Sequence, residues 1–105
     1  MIHPALVRSV LYVPASNERA LEKLASLHMD AVILDLEDTV APDAKEAARE
    51  NVRRFFKAKP KSNAKFAIRM NGFGTQWGSE DLLAARACKP DAIVLIDYPG
   101  FNLRL

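Results

Sequence analysis

The amino-acid sequence predicts an α/β fold, a parallel sheet whose strands are joined by crossover helices. Two observations carry that expectation. Short runs rich in β-branched and other apolar residues alternate with stretches whose apolar positions recur every three to four residues, and Pro, Gly, Ser, Asn and Asp punctuate the junctions. The order is strand then helix throughout, without a repeat of fixed length or a low-complexity segment. A doubly wound sheet and a piece of a (β/α) barrel both satisfy that order.

Ser9-Val10-Leu11-Tyr12-Val13 reads as the first strand, closed by Pro14. Ser16 or Asn17 then caps a helix carrying Ala20, Leu21, Leu24 and Ala25 on one side. Ala31 to Leu36 is the second strand. Past Pro42, Asp43 with Glu46 three residues on has the pattern of a capping box. The helix it opens runs to about Phe56, with Ala44, Ala48, Val52 and Phe55 as its core face and Arg49, Glu50, Arg53, Arg54 and Lys57 on solvated faces. The polar connector Lys59-Pro60-Lys61-Ser62-Asn63 precedes a third strand, Lys65 to Asn71. Ser79, followed by Glu80 and Asp81, is the expected cap of a third helix that ends by Lys89-Pro90. Ala92 to Ile96 is the fourth strand.

The chain has 105 residues, half of them hydrophobic, which is enough for one compact domain. Fifteen Lys and Arg against thirteen Asp and Glu leave a net charge of +2, which argues against a nucleic-acid partner. The single cysteine, Cys88, allows no intramolecular disulfide or all-cysteine zinc site. No apolar run approaches the ~20 residues of a membrane span. A cytoplasmic protein without a membrane partner is the expectation.

In parallel α/β folds functional groups gather at the carboxyl ends of the strands. The second strand ends in Leu34-Asp35-Leu36-Glu37-Asp38 and the third in Ile68-Arg69-Met70-Asn71-Gly72. The two-residue period of a strand sets Asp35 with Glu37 on one face and Arg69 with Asn71 on another, so that neighbouring strands would bring carboxylates and a guanidinium into hydrogen-bonding range. Such a pair can simply tie strand ends together. It can equally form a site, with Gly72 and Gly74 letting a ligand approach the backbone. The carboxylates suit Mg²⁺ held with its waters, and the arginine suits a carboxylate or a developing enolate, so the substrate expected is an anion. His3 and His28 stand beside no nucleophile, Cys88 reads as a small buried residue, and the basic stretch from Lys45 to Lys65 reads as a solvated helix face and linker. Trp77 reads as a packing residue, and Gly72-Phe73-Gly74 is too short for a nucleotide fingerprint.

Three ordered motifs carry a family resemblance: Arg8 to Ala20 (RSVLYVPASNERA), Ala31 to Lys45 (AVILDLEDTVAPDAK) and Ile68 to Gly72 (IRMNG). Over about residues 8–95 the chain resembles the citrate lyase beta subunit group of the HpcH/HpaI aldolases. The resemblance implies a TIM (β/α)8 barrel and Mg²⁺-dependent carbon–carbon lyase chemistry on citryl- or malyl-type acyl thioesters, with acyl-CoA or acyl carrier protein thioesters and an oxo acid such as oxaloacetate as partners. It implies that Arg69 binds the substrate carboxylate or carbonyl oxygen and steadies the enolate. Glu37 and Asp38 would surround the metal through its waters, the direct Glu and Asp ligands coming from later strands that this sequence does not contain. Tyr12, Asn17 and Lys23 would contact the thioester carrier, with Asn71 and Gly72 beside the substrate.

Since a complete barrel needs ~200 to 250 residues, the chain is expected to supply about the first four strands as a single domain, with residues 97–105 as a divergent tail. Open sheet edges predict a homo-oligomer, and the missing ligands predict weak or absent activity. The alternative is a non-catalytic module that binds an anion or thioester.

Overall fold

The computed structural model describes residues 9–26 and 29–95. His3, His28, Ile96, the tail 97–105 and the side chain of Ala25 lie outside the described residues. Strands β1 (Val10–Pro14), β2 (Ala31–Asp35), β3 (Lys65–Met70) and β4 (Ala92–Leu95) form one parallel sheet in the order β1-β2-β3-β4. Between them run helices α1 (Glu18–Lys23), continued by a 3₁₀ turn at Leu24–Ser26, α2 (Lys45–Lys57) and α3 (Gly78–Cys88).

Alternation along each strand decides which residues meet the helices. Val13, Leu34 and Ile68 are register partners and are buried, as are Val32 and Phe66 one step earlier. They pack with Leu21 and Leu24, with Ala48 and Val52 of α2, and with Ala85 of α3. Phe55 and Phe66 meet edge to face, their ring centroids 5.2 Å apart. All three helices therefore cover one face of the sheet. A doubly wound sheet has helices on both faces, so that option is excluded for the described residues.

The other face carries Tyr12, Ile33 and Ala67 in one register row and Asp35 and Arg69 in the next. Tyr12 and Val10 are exposed there while Ala31, Ala67 and Asp35 are buried, so the exposed apolar surface of this face lies on β1.

The helix starts differ from the expectation in two of three cases. Asn17 caps α1 as expected, its Oδ1 accepting from the Ala20 amide at 3.1 Å. The Asp43 capping box does not form. Pro42 starts a 3₁₀ turn at Pro42–Ala44, which puts Asp43 inside a turn, and α2 begins after Ala44 without a side-chain cap. Ser79 does not cap α3, because the helix already begins at Gly78. A Cβ at Gly78 would lie 2.3 Å from the Gly72 carbonyl oxygen, so only glycine lets the helix start against that loop. At the other end Lys89 takes a left-handed conformation (φ 53°) and stops α3. No helix among the described residues is long and apolar enough to cross a membrane.

Candidate functional site

β2 and β3 end side by side, with Asp35 and Arg69 as register partners. Parallel pairing aims both side chains at the open face, and they form a two-pronged ion pair. Arg69 Nε donates to Asp35 Oδ1 and Nη2 to Oδ2, each at 2.8 Å. Asp35 is fully buried and also accepts from the Glu37 amide at 2.8 Å, the Thr39 amide at 2.9 Å and the Thr39 hydroxyl at 2.7 Å. Burial by itself would raise this carboxyl, but the hydrogen bonds from Arg69, Thr39 and the Glu37 amide outweigh it and hold Asp35 far below the usual carboxylate range. On the other side, the bond to Asp35 pushes the Arg69 guanidinium still higher against the cost of its own burial, so it stays charged at any working pH.

Two more of the expected residues join this pair. Glu37 Oε1 lies 3.7 Å from Arg69 Nε, and the guanidinium carbon sits 5.3 Å from the centroid of the Tyr12 ring. The aromatic face and Asp35 together settle the plane of the guanidinium. Nε and Nη2 are engaged, and no described residue accepts from Nη1. That edge keeps hydrogen-bonding capacity toward the described residues unused.

The remaining expected residues are elsewhere. Asp38 is exposed beside Glu37. Asn71 lies one residue past the end of β3, where the strand period no longer holds, and its side chain turns to α3. Its Nδ2 donates to Asp81 at 2.6 Å and to the Leu36 carbonyl at 2.8 Å, while its amide donates to Asp81 at 2.9 Å. Gly72 is buried, and its carbonyl accepts from the Thr75 amide and hydroxyl. Asn17 is spent on the α1 cap and Lys23 is exposed in the last turn of α1. Neither bonds to the Arg69 cluster.

Behind the loop at 36–40 stands a buried polar network that the sequence did not disclose. The basic positions Lys45 and Arg49 are not on a solvated face: both are buried. Arg49 Nε donates to Asp81 at 3.0 Å, and Lys45 Nζ donates to the Leu36 and Glu37 carbonyls while lying over the Trp77 ring. Asp81, fully buried in the first turn of α3, thus joins α2 to the exit of β3. Trp77 serves as the expected packing residue, with a cation beneath it. Cys88 is half-buried against the core, and burial pushes its thiol up with Arg53 opposing, which suits a packing role.

Among the described residues no group of three or more His, Cys, Asp or Glu side chains converges to hold a metal ion directly. With Asp35 saturated, the carboxylates left at the mouth are those of Glu37 and exposed Asp38. Hard oxygen donors in that number suit a cation that keeps most of its waters.

The family model for HpcH/HpaI aldolase/citrate lyase matches residues 8–96. The chain belongs to the HpcH/HpaI aldolase/citrate lyase family. Like it is a (3S)-malyl-CoA thioesterase of Cereibacter sphaeroides, 44% identical over 93 residues that make up 89% of this chain and 32% of that one. An L-malyl-CoA/beta-methylmalyl-CoA lyase of Rhodobacter capsulatus is 36% identical over 78 residues, covering 74% of this chain and 24% of the relative. Among solved structures, protein CitE from Mycobacterium tuberculosis in complex with magnesium and acetate aligns with a TM-score of 0.71 at 30% identity, over 90% of this chain and 38% of the other. A citrate lyase beta subunit from M. tuberculosis, complexed with oxaloacetate and magnesium, aligns with a TM-score of 0.61 at 31% identity, over 84% of this chain and 36% of the other. This HpcH/HpaI chain spans about a third of the length of the malyl-CoA thioesterase it matches.

Proposed function

We propose that the strand-end site of this chain serves Mg²⁺-dependent carbon–carbon lyase chemistry on a CoA-type acyl thioester, with a 2-oxo acid such as oxaloacetate as the small fragment. The observation that carries the reading is Arg69, fixed on one edge by Asp35 and without an acceptor for Nη1 among the described residues, on the face of the sheet away from the helices. A guanidinium held in this way binds a substrate carboxylate or carbonyl oxygen without reorganising as negative charge grows there, which favours the enolate over the ground state. Tyr12 shields one face of the guanidinium from water and strengthens that interaction. Glu37 and Asp38 would accept hydrogen bonds from the waters of the cation, and the cation, when bound, would supply Lewis-acid polarisation of the oxo-acid oxygens. Asn71, whose side chain turns to Asp81, would act only by bracing the exit of β3 that carries Gly72, and Asn17 and Lys23 remain candidates for contact with the thioester carrier.

We further infer that these four strands and the three helices between them are the first part of a (β/α)8 barrel. Sequential strand order, helices on one face and the likeness to CitE support it. The exposed apolar residues of the open face support a homo-oligomer.

Calorimetric titration of oxaloacetate in the presence of Mg²⁺ tests the site. Binding is expected in the wild-type chain and should weaken at least about tenfold in Arg69→Ala, the value of one charge-assisted contact. Unchanged affinity in a folded Arg69→Ala would overturn the assignment. Binding without turnover of malyl- or citryl-CoA would mark a non-catalytic anion-binding module instead.

A further inference from the structure

Two consecutive backbone carbonyls in the acidic loop are aimed at a single side chain. Lys45, the first residue of α2, donates from Nζ to the Leu36 oxygen at 3.2 Å and to the Glu37 oxygen at 2.7 Å. Its ammonium lies 5.1 Å from the centroid of the Trp77 ring, and the residue is only 6% exposed. A lysine at a helix surface ordinarily extends its ammonium into water, since a cation taken out of water loses hydration that must be replaced. Burial here pushes the Lys45 amine down from the ordinary lysine range, and the charges of Glu37, Asp35, Asp81 and Asp38 oppose it. Those costs are met at a position with a particular geometric effect. The Leu36 oxygen belongs to the peptide plane before Glu37, and the Glu37 oxygen to the plane after it.

Each peptide plane is rigid, so fixing the two planes that flank a residue fixes its φ and ψ and the direction of its Cβ. The first plane is also held by Asn71 and by Asp35, but the described contacts on the second are Lys45 and the Val40 amide at 3.3 Å. Lys45 is the one side chain among the described residues that grips both.

We propose that Lys45 is a positioning residue for Glu37, clamping both peptide planes around it beneath Trp77 so that Glu37, and the plane from which Asp38 starts, are preset for a hydrated divalent cation. It touches neither substrate nor cation and acts through the backbone. The proposal rests on the reading of Glu37 and Asp38 as the residues that meet Mg²⁺. Outer partners of this kind typically govern metal affinity by about tenfold or more.

Mn²⁺ titrated alone into the isotope-labelled chain, with paramagnetic broadening of the Glu37 and Asp38 amides read by NMR, is the test. Lys45→Met is expected to need about tenfold more Mn²⁺ for the same broadening and to speed hydrogen exchange at the Val40 amide. Lys45→Arg, which keeps a cation able to donate to carbonyls, should recover most of the response. If Lys45→Met fails to fold, Trp77→Leu wets the ammonium and should shift the titration about threefold in the same direction. A wild-type Mn²⁺ response in the folded variant, or no broadening at Glu37 and Asp38 in the wild type, overturns the proposal, even if oxaloacetate still binds Arg69. Loss of oxaloacetate binding with the Mn²⁺ response and its Lys45 dependence intact would sink the lyase reading and support the clamp.

Discussion

Asp35 accepts five hydrogen bonds, two from Arg69, two from Thr39 and one from the Glu37 amide. All of them favour the ionised carboxylate, so the residue contributes to stability only while it is charged. Its folded value is depressed. That contribution is therefore complete above the ordinary carboxylate value of about 4 and is lost progressively as the pH falls below it. Asp35→Asn should unfold about 3 kcal/mol more easily near neutral pH, because Arg69 is left with a neutral partner in a partly buried site. Between about pH 5 and pH 3 the variant should also lose less stability than the wild type, since it lacks the titrating group. Urea unfolding followed by circular dichroism at several pH values checks both parts, and parallel pH profiles for the two proteins would contradict the second.

The elements are set by close approach as much as by propensity. α3 begins at Gly78 because its backbone passes against the Gly72 carbonyl, and the helix carries Asp81 into the network with Arg49 and Asn71. Gly78→Ala would force the two segments apart and drag Asp81 with them, at an expected cost of about 2 kcal/mol. A Cβ at Gly74 would meet nothing within 4 Å, so Gly74→Ala should change stability by less than about 0.5 kcal/mol. Thermal unfolding of the pair gives a direct comparison, and equal melting temperatures would show that the Gly78 contact relaxes freely. The strands and the cores of the helices follow from periodicity, which is local. Cap residues are less legible, since Pro42 and Gly78 impose their own backbone requirements and displace Asp43 and Ser79 from the role their side chains could fill.

On the scale of the whole molecule, the sheet has one face covered by α1, α2 and α3 and another that holds the Asp35–Arg69 pair, with exposed apolar side chains along β1. Val10 is 47% exposed and Tyr12 53% exposed on β1, an outer strand of the described sheet. An outer strand with apolar side chains on an open face is a template for further pairing. The chain is expected to sediment with a concentration-dependent coefficient, and Val10→Lys, which places a charge on that strand, should shift the distribution toward monomer. A wild-type protein that stays monomeric across the accessible concentration range would exclude self-association through this face.

The residues alone determined the alternation of strands and helices and the meeting of an acidic strand end with Arg69, because side-chain period and parallel register are short-range geometry, while the structure picked Asp35 as the partner. Only the tertiary structure decided that all three described helices lie on one face, that Asn71 turns from Arg69 toward Asp81, and that Lys45 and Arg49 are buried. A charged residue on a helix reads as solvated unless partners arrive from elsewhere. Here those partners are the Leu36 and Glu37 carbonyls, Trp77 and Asp81, which come from other segments and meet only when α2, α3 and the ends of β2 and β3 converge. Desolvation and its compensation are properties of that convergence, and no local pattern encodes them.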